Sequence, residues 1–451
     1  MDKVRNAALK AVFEVLENGA YANIAINNLL KETNFSPLER SFITEIVYGT
    51  VKNKITLEWI RDRFINLKKI DPWINYIILT GIYQLVYLDK VPVSAACNES
   101  VNLAKKHGNP GSVKFVNGVL RNIARNLDNI SYPDIQNDPV LHISVVYSHP
   151  EWLIKRWVKD YGIEDTVTLC KHNNSKSPNT IRVNTLKIQV DELMTLFADK
   201  GVDVKKTLYA PEGLEIANFG QIDKMDAFVK GLFIMQDEAS MLPARCLNPT
   251  PHSIIIDGCA APGSKTTHLA QLTGDESTIL AFDIHSHKLK LIEQNVRRLG
   301  INSIQIQKQE AQRIGELFER KVDYLLLDVP CSGLGVLRRR ADLRWKKEQQ
   351  QIKELSKLQL EIIEGAAKCL KPGGTLVYST CTMTYEENLS VVEKFLENNQ
   401  GFSFDSLLPY LPDELIKDPL LRYSAKIGYI QILPQKHNMD GFFIARIIRK
   451  S

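Results

Sequence analysis

At 451 residues the chain is longer than one compact domain usually is, so two or three units are expected. Hydrophobic content of 44% with 24% charged residues excludes global disorder, and neither a secretory leader nor a run of bilayer length stands out. Seven cysteines without a CxxC pair point to the reduced thiols of a cytoplasmic protein, not to a disulfide frame or structural zinc.

Residues 1–130 read as nearly all helix. Val4, Ala7, Ala8, Ala11, Val12, Val15 and Leu16 recur at helical spacing. Ser36-Pro37, with Glu39 close behind, is a helix-start signal that Asp71-Pro72 repeats before a further apolar run. In that run Tyr76, Leu79, Tyr83 and Tyr87 form an aromatic stripe expected in the core. This stretch holds 17 Lys/Arg against 12 Asp/Glu, which is the whole net charge of +5, since the remainder carries 40 of each. The excess fits an anionic partner such as nucleic acid and equally a solvated charged surface. Residues 128–138 (DNISYPDIQND) lack periodicity and predict a linker at 131–140.

A different pattern covers 141–231. NTIRVNTLK (179–187) alternates like a strand, 191–201 is a helix closed by glycine, and LEIAN and LFIMQD are further short strands. From 232 onward apolar strands alternate with helices. The strands are SIIIDG, TILAFD, SIQIQ, VDYLLLD, GTLVYST and GFFIARII, with helices such as 287–299 and 348–370 between them. That alternation predicts a parallel sheet covered on both faces, with ligands at the carboxyl ends of the strands. Asp257, Asp283, Asp328 and Cys381 all fall at that end.

The turn DGCAAPGSK (257–265) is glycine-bearing and opens a helix, which suits a nucleotide-type cofactor as well as a plain tight turn. It is neither GxGxxG nor a P-loop, so hydride carriers and ATP are disfavoured. Asp283, closing the next strand, stands where a carboxylate takes ribose hydroxyls. Cys331 in DVPCSGLG and Cys381 in YSTCTMTYEEN each end a strand at that same edge, unlike Cys97, Cys170, Cys246 and Cys369, which read as inert core. One reaction needs a thiolate beside such a cofactor. Adding sulfur to C6 of cytosine makes C5 nucleophilic toward an electrophilic methyl, and an acid such as Asp328 offsets charge at N3.

On these motifs the chain resembles the RNA (cytosine-5)-methyltransferases of the Sun/Fmu family, in the branch that acts on bacterial small-subunit rRNA. FVNGVLRNIAR, YSHPEWLIKRW, IRVNTLK and MQDEAS extend the resemblance over the whole chain. It implies an all-α NusB-like RNA-binding domain (1–130), the linker (131–140), a small α+β domain (141–231) and a Rossmann-type α/β methyltransferase domain (232–451). It further implies Cys381 as nucleophile, Cys331 as the group assisting C5 deprotonation or release, and Asp328 between cofactor and base. Cys259, Ala260, Ala261, Pro262, Gly263, Ser264 and Lys265 would wrap S-adenosylmethionine, with Asp283 on its ribose and Glu310 near the adenine. Two departures from the family pattern stand out: Ser264 where glycine is usual, and Glu310 where aspartate is usual. The basic run 335–347 suggests that Arg338, Arg339 and Arg340 grip phosphates, with Trp345 stacking on a base. The expected partner is 16S rRNA or a small-subunit precursor, bound by a cytoplasmic monomer without metal or membrane. The same chemistry on tRNA, or a non-catalytic antitermination factor, remains an alternative on sequence alone.

Overall fold

The computed structural model describes residues 2–32, 34–67 and 69–451. The chain divides into two units: residues up to Ser175 with Leu337–Lys347, and Lys176–Val336 with Glu348–Ser451.

The first unit is helical. Lys3–Leu16, Ala22–Glu32, Pro37–Lys52, Lys54–Asp62, Pro72–Tyr87, Val93–His107 and Pro110–Arg125 turn their apolar faces onto a core that includes Leu9, Val12, Ile43, Val47, Leu57, Ile77 and Ile82. Ser36 and Glu39 close a reciprocal capping box, with Ser36 N donating to Glu39 at 2.8 Å, and Asp71 caps the helix that Pro72 begins. Tyr76, Leu79 and Tyr83 are core as expected, whereas Tyr87, at the end of its helix, is 39% exposed. Two later helices, Pro139–Tyr147 and Glu151–Asn174, also belong here, although the sequence reading opens the mixed domain at 141. Their buried Ile143, Val145, Leu153 and Trp157 need a helical partner, and Thr56 Oγ1 donates to Val145 O at 2.6 Å.

The basic run after Cys331 is the main correction. Leu337–Lys347 is part of the helical unit, where it acts as an internal strap. Arg344 is fully buried and donates to Ser148 O (2.9 Å) and Asn174 Oδ1 (3.1 Å). Trp345, expected to stack on a base, instead donates its indole N–H to Val51 O (2.7 Å) and packs on the helical core. Lys346 bonds Gly19 O (2.8 Å) and Ala20 O (2.6 Å). Arg338 and Arg339 are half-buried and engaged, with Arg338 Nη1 3.5 Å from His172, so Arg340 is the exposed member of the triplet. What the run's composition does not show is that backbone carbonyls near helix ends recruit donors such as Arg344 and Lys346.

In the second unit β1 (Asn179–Val183), β2 (Asp203–Lys206), β3 (Gly213–Ala217) and β4 (Phe233–Met235) form an antiparallel sheet in the order β2-β3-β1-β4. The helix Val190–Asp199 contributes Leu193 and Phe197 to the same small core as Ile181 and Phe233. The main sheet comprises β5 (Ile254–Asp257), β6 (Thr278–Asp283), β7 (Ile304–Lys308), β8 (Val322–Asp328), β9 (Leu370–Thr380), β10 (Phe402–Phe404), β11 (Tyr429–Ile432) and β12 (Phe442–Arg449). Its order is β10-β12-β9-β8-β5-β6-β7, with β11 also on β12. From β9 to β7 the pairs are parallel, as the alternation requires. The sheet is nevertheless mixed, because β12 runs antiparallel to β9, β10 and β11. The β11–β12 connection is shorter than the dozen or so residues that a parallel crossover needs.

Among the described residues no helix is long and apolar enough to cross a membrane. Replacing Arg344 with alanine leaves buried acceptors unpaired and opens a void. The helical unit is therefore expected to lose about 3 kcal/mol, read as an earlier thermal or urea transition; an unmoved transition contradicts the anchoring role.

Candidate active site

β5, β8 and β9 are neighbours and parallel, so the turns that follow them share one edge of the sheet. Asp328 lies opposite Ser379 in the β8–β9 register. Since Cys331 and Cys381 follow within a few residues, this register brings two sequence-distant thiols together. Their Sγ atoms are 3.2 Å apart.

The turn after β5 is built by backbone. Gly258 N donates to Leu326 O (2.9 Å) and Ala260 N to Phe282 O (2.8 Å). Gly263, with φ of 97°, reverses the chain into the helix Ser264–Leu272. Ser264 is the first residue of that helix and has no positive φ, so serine at this position carries no backbone strain. Arg182 on β1 braces the arrangement from behind. Fully buried, it donates to Ser264 O (2.5 Å), Thr267 Oγ1 (2.9 Å), Gln271 Oε1 (2.8 Å) and Gln236, and burial pushes its pKa down to about 9. Asp257, beneath the turn, accepts from Thr266 Oγ1 (2.7 Å); burial pushes its carboxyl up to about 7.

A cavity of about 370 Å³ opens at this edge, lined in part by Cys259, Ala261, Asp283, Glu310 and Asp328. Glu310, whose greater length departs from the family pattern, thus reaches the wall. Ala260 is buried below the turn, Pro262 is exposed on it, and Gly263 and Ser264 form the helix start. Burial and the nearby carboxylates, Asp257 first, push the Cys259 thiol well up, which suits a contact residue and not a nucleophile. His285, Lys288, Leu358 and Ile362 also line the cavity and were not singled out from sequence. The last two come from Gln349–Ala366, the longest helix beside the sheet.

Lys265, expected to wrap the cofactor, is buried and pairs with Asp328 without itself lining the cavity. Its Nζ donates to Asp328 Oδ2 (2.6 Å) and Ser240 Oγ (2.9 Å) and lies 5.1 Å from the centre of the Phe442 ring. Ser379 Oγ donates to the other oxygen of Asp328 at 3.0 Å. Asp328 is therefore held from two sides while still facing the cavity. The Cys331 thiol is held well above its ordinary pKa by its hydrogen bond to Cys381, then by burial, then by the charges of Cys381, Glu387 and Asp328. The Cys331 turn is pinned through Gly335, whose N–H donates to Cys381 O (3.0 Å) and whose carbonyl accepts from Gly441 N (2.8 Å).

Comparison with known proteins settles what such an edge belongs to. Residues 244–448 match the model of the 16S rRNA methyltransferase RsmB/F family, residues 2–125 the NusB family, and residues 149–223 the ferredoxin-like domain found in RsmF/B-like methyltransferases. The probable ribosomal RNA small subunit methyltransferase B of Bacillus subtilis (strain 168) is 38% identical over 99% of both chains. The chain belongs to the RsmB/F family of 16S rRNA methyltransferases.

The ribosomal RNA small subunit methyltransferase B of Shewanella oneidensis is 31% identical, again over 99% of each chain. The crystal structure of PH0851 superposes with a TM-score of 0.81 at 27% identity, covering 98% of both chains. NSun6 from Pyrococcus horikoshii, solved with SFG, gives 0.58 at 25% identity over 67% of this chain and 98% of its own. Family membership makes S-adenosylmethionine the methyl donor and agrees with the expected sequence of all-α, small α+β and α/β parts.

A Cβ at Gly335 would lie 2.0 Å from Gly441 O and 2.9 Å from Cys381 O, both backbone atoms that cannot rotate away. Gly335→Ala should therefore cost about 1–3 kcal/mol in urea unfolding and lower methyl transfer at least about tenfold. Wild-type behaviour in both assays contradicts the close approach.

Proposed function

We propose that the protein methylates carbon 5 of a cytosine in 16S rRNA, in the cytoplasm, through a transient bond between Cys381 Sγ and C6 of the base. The 3.2 Å separation of the two thiols, in turns that follow the strands beside the cavity, carries this reading, and Pro330 next to Cys331 lines that cavity. A ring that rests on one sulfur is within reach of the other.

The cavity residues fit S-adenosylmethionine. A volume of about 370 Å³ lies in the range of small-molecule sites, and Asp283 and Glu310 supply carboxylates for ribose hydroxyls and the adenine amine. When bound, S-adenosylmethionine supplies the methyl group as an electrophile. The P. horikoshii NSun6 solved with SFG, an S-adenosylmethionine analogue, supports that assignment.

The chain's own residues divide the remaining work. At rest Cys331 keeps its proton and lies within hydrogen-bond distance of the Cys381 sulfur, the thiolate nucleophile of this reading. That thiolate adds to C6, and the electron pair of the C5–C6 bond moves to C5, where it would bond the electrophilic methyl before any proton leaves that carbon. Asp328 and the Lys265 ammonium, 2.6 Å apart, carry the proton that offsets charge spreading to N3. Once Cys381 sulfur is bonded to carbon, its charge and its acceptor role toward Cys331 are gone. Two of the influences holding the Cys331 pKa up disappear with them. Cys331 then loses its proton to solvent and removes the proton from C5. The C5–H electron pair re-forms the C5–C6 double bond and expels Cys381 as thiolate, the N3 proton returns to the Asp328–Lys265 pair, and Cys331 is again a thiol. The exchange of base and leaving group between neighbouring sulfurs needs no third residue.

Cys381→Ala should reduce 5-methylcytosine formation on 16S rRNA roughly a thousandfold or more while leaving S-adenosylmethionine binding unchanged in calorimetry. Cys331→Ala should accumulate a protein–RNA adduct that survives denaturing electrophoresis, because addition proceeds and release does not. Turnover by the Cys381 variant, or methylation of tRNA in preference to 16S rRNA, contradicts the proposal. Asp283→Ala should weaken S-adenosylmethionine binding about tenfold or more, as expected for loss of a charged hydrogen-bond acceptor, and equal affinity contradicts its ribose role.

A further inference from the structure

The acidic motif after Cys381 has no part in the chemistry above, yet it contains a fully buried carboxylate, Glu387. Its Oε1 accepts from Ser332 N (2.7 Å) and Gln359 Nε2 (3.2 Å), and its Oε2 from Ser332 Oγ (2.6 Å) and Thr384 Oγ1 (2.6 Å). Thr382 Oγ1 adds a bond of 2.8 Å to Ser332 Oγ, and Tyr378 OH donates to Glu387 O at 2.6 Å. Ser332 is the residue after Cys331, and Thr382 the residue after Cys381. One carboxylate therefore ties together the turn after β8, the turn after β9 and the helix Gln349–Ala366.

We infer that Glu387 is a positioning residue that sets the two active-site sulfurs against each other and keeps them chemically different. The inference rests on the thiol mechanism proposed above. All four donors to the carboxylate are neutral, and one of them, the Ser332 backbone N–H, cannot reverse direction. An ionised Glu387 satisfies every one of them, whereas a glutamine presents its own N–H₂ to at least one donor. The same negative charge faces Cys331 together with Asp328, itself paired to Lys265, and with the thiol of Cys381 and the phenol of Tyr378. Charge on Glu387 favours a protonated Cys331, which is the unequal state that lets Cys381 attack first. Removing the charge without changing the shape disturbs both the geometry and the proton distribution.

The test uses the full chain as Glu387→Gln, Glu387→Asp and Thr384→Val. Glu387→Gln should lower kcat about a hundredfold at saturating RNA and S-adenosylmethionine, with the KM for S-adenosylmethionine changed less than about twofold. In a Cys381→Ser background, iodoacetamide labelling of Cys331 followed by mass spectrometry should show its pH midpoint moving to lower pH with Glu387→Gln and staying near the parent value with Glu387→Asp. Thr384→Val, which keeps the charge and removes one tie, should lower kcat about tenfold with the midpoint unmoved. Unchanged kcat in Glu387→Gln overturns the inference, as does a fall in kcat with no shift of the Cys331 midpoint. If the glutamine variant does not fold, unchanged kcat in Thr384→Val overturns it equally. Wild-type protein that forms no 5-methylcytosine removes the underlying mechanism instead.

Discussion

The parallel pairing of β8 with β9, in the register that sets Asp328 opposite Ser379, is the constraint on which the active edge depends. Side chains in a sheet alternate with a period of two, so a slip of one residue in this pair would turn Asp328 or Ser379 to the opposite face. It would also shift the Cys331 turn relative to the Cys381 turn by about the length of the sulfur–sulfur contact. The register is secured by apolar packing below, where Leu325, Leu327, Leu376 and Tyr378 are buried in one cluster. Above, Ser379 donates directly to Asp328. Burial in the sheet thus becomes positional accuracy at its edge.

Around that edge the second unit handles charge by enclosure and pairing. Lys265, Asp328 and Ser379 form one connected group, Arg182 braces the helix that bears Lys265, and Glu387 gathers neutral donors from both cysteine turns. Each buried charge has hydrogen-bond partners, which is the condition for tolerating it at all. Within this network the Cys331 and Cys381 sulfurs lie 3.2 Å apart, with the Cys331 thiol held above its ordinary pKa.

Much of this was legible in the chain because the strong signals are local. Apolar strands ending in Asp257, Asp283 and Asp328 announced the sheet and its ligand-bearing edge, and the capping signals at Ser36 and Asp71 marked helix starts correctly. What escaped was decided by distant partners. Trp345 read as a base-stacking residue in a basic run, since nothing nearby shows that carbonyls at Val51, Ser148 and Gly19 await donors from Trp345, Arg344 and Lys346. Arg182 looked like an alternating strand residue, and Glu387 like one acid among several in a turn. β10 and β11 are too short to stand out by periodicity, so the antiparallel flank of the sheet stayed hidden. Burial of polar groups, unlike burial of apolar ones, leaves little trace in composition.

The central claim is that sulfur of Cys381, and not of Cys331, bonds to the base. RNA carrying 5-fluorocytidine tests it most directly, because fluorine at C5 cannot leave as a proton does and the methylated adduct persists. Incubation of the wild-type protein with such 16S rRNA and S-adenosylmethionine, digestion, and tandem mass spectrometry should locate the nucleotide on the peptide containing Cys381. Attachment at Cys331, or no attachment in a preparation that methylates the unmodified RNA, would contradict the account.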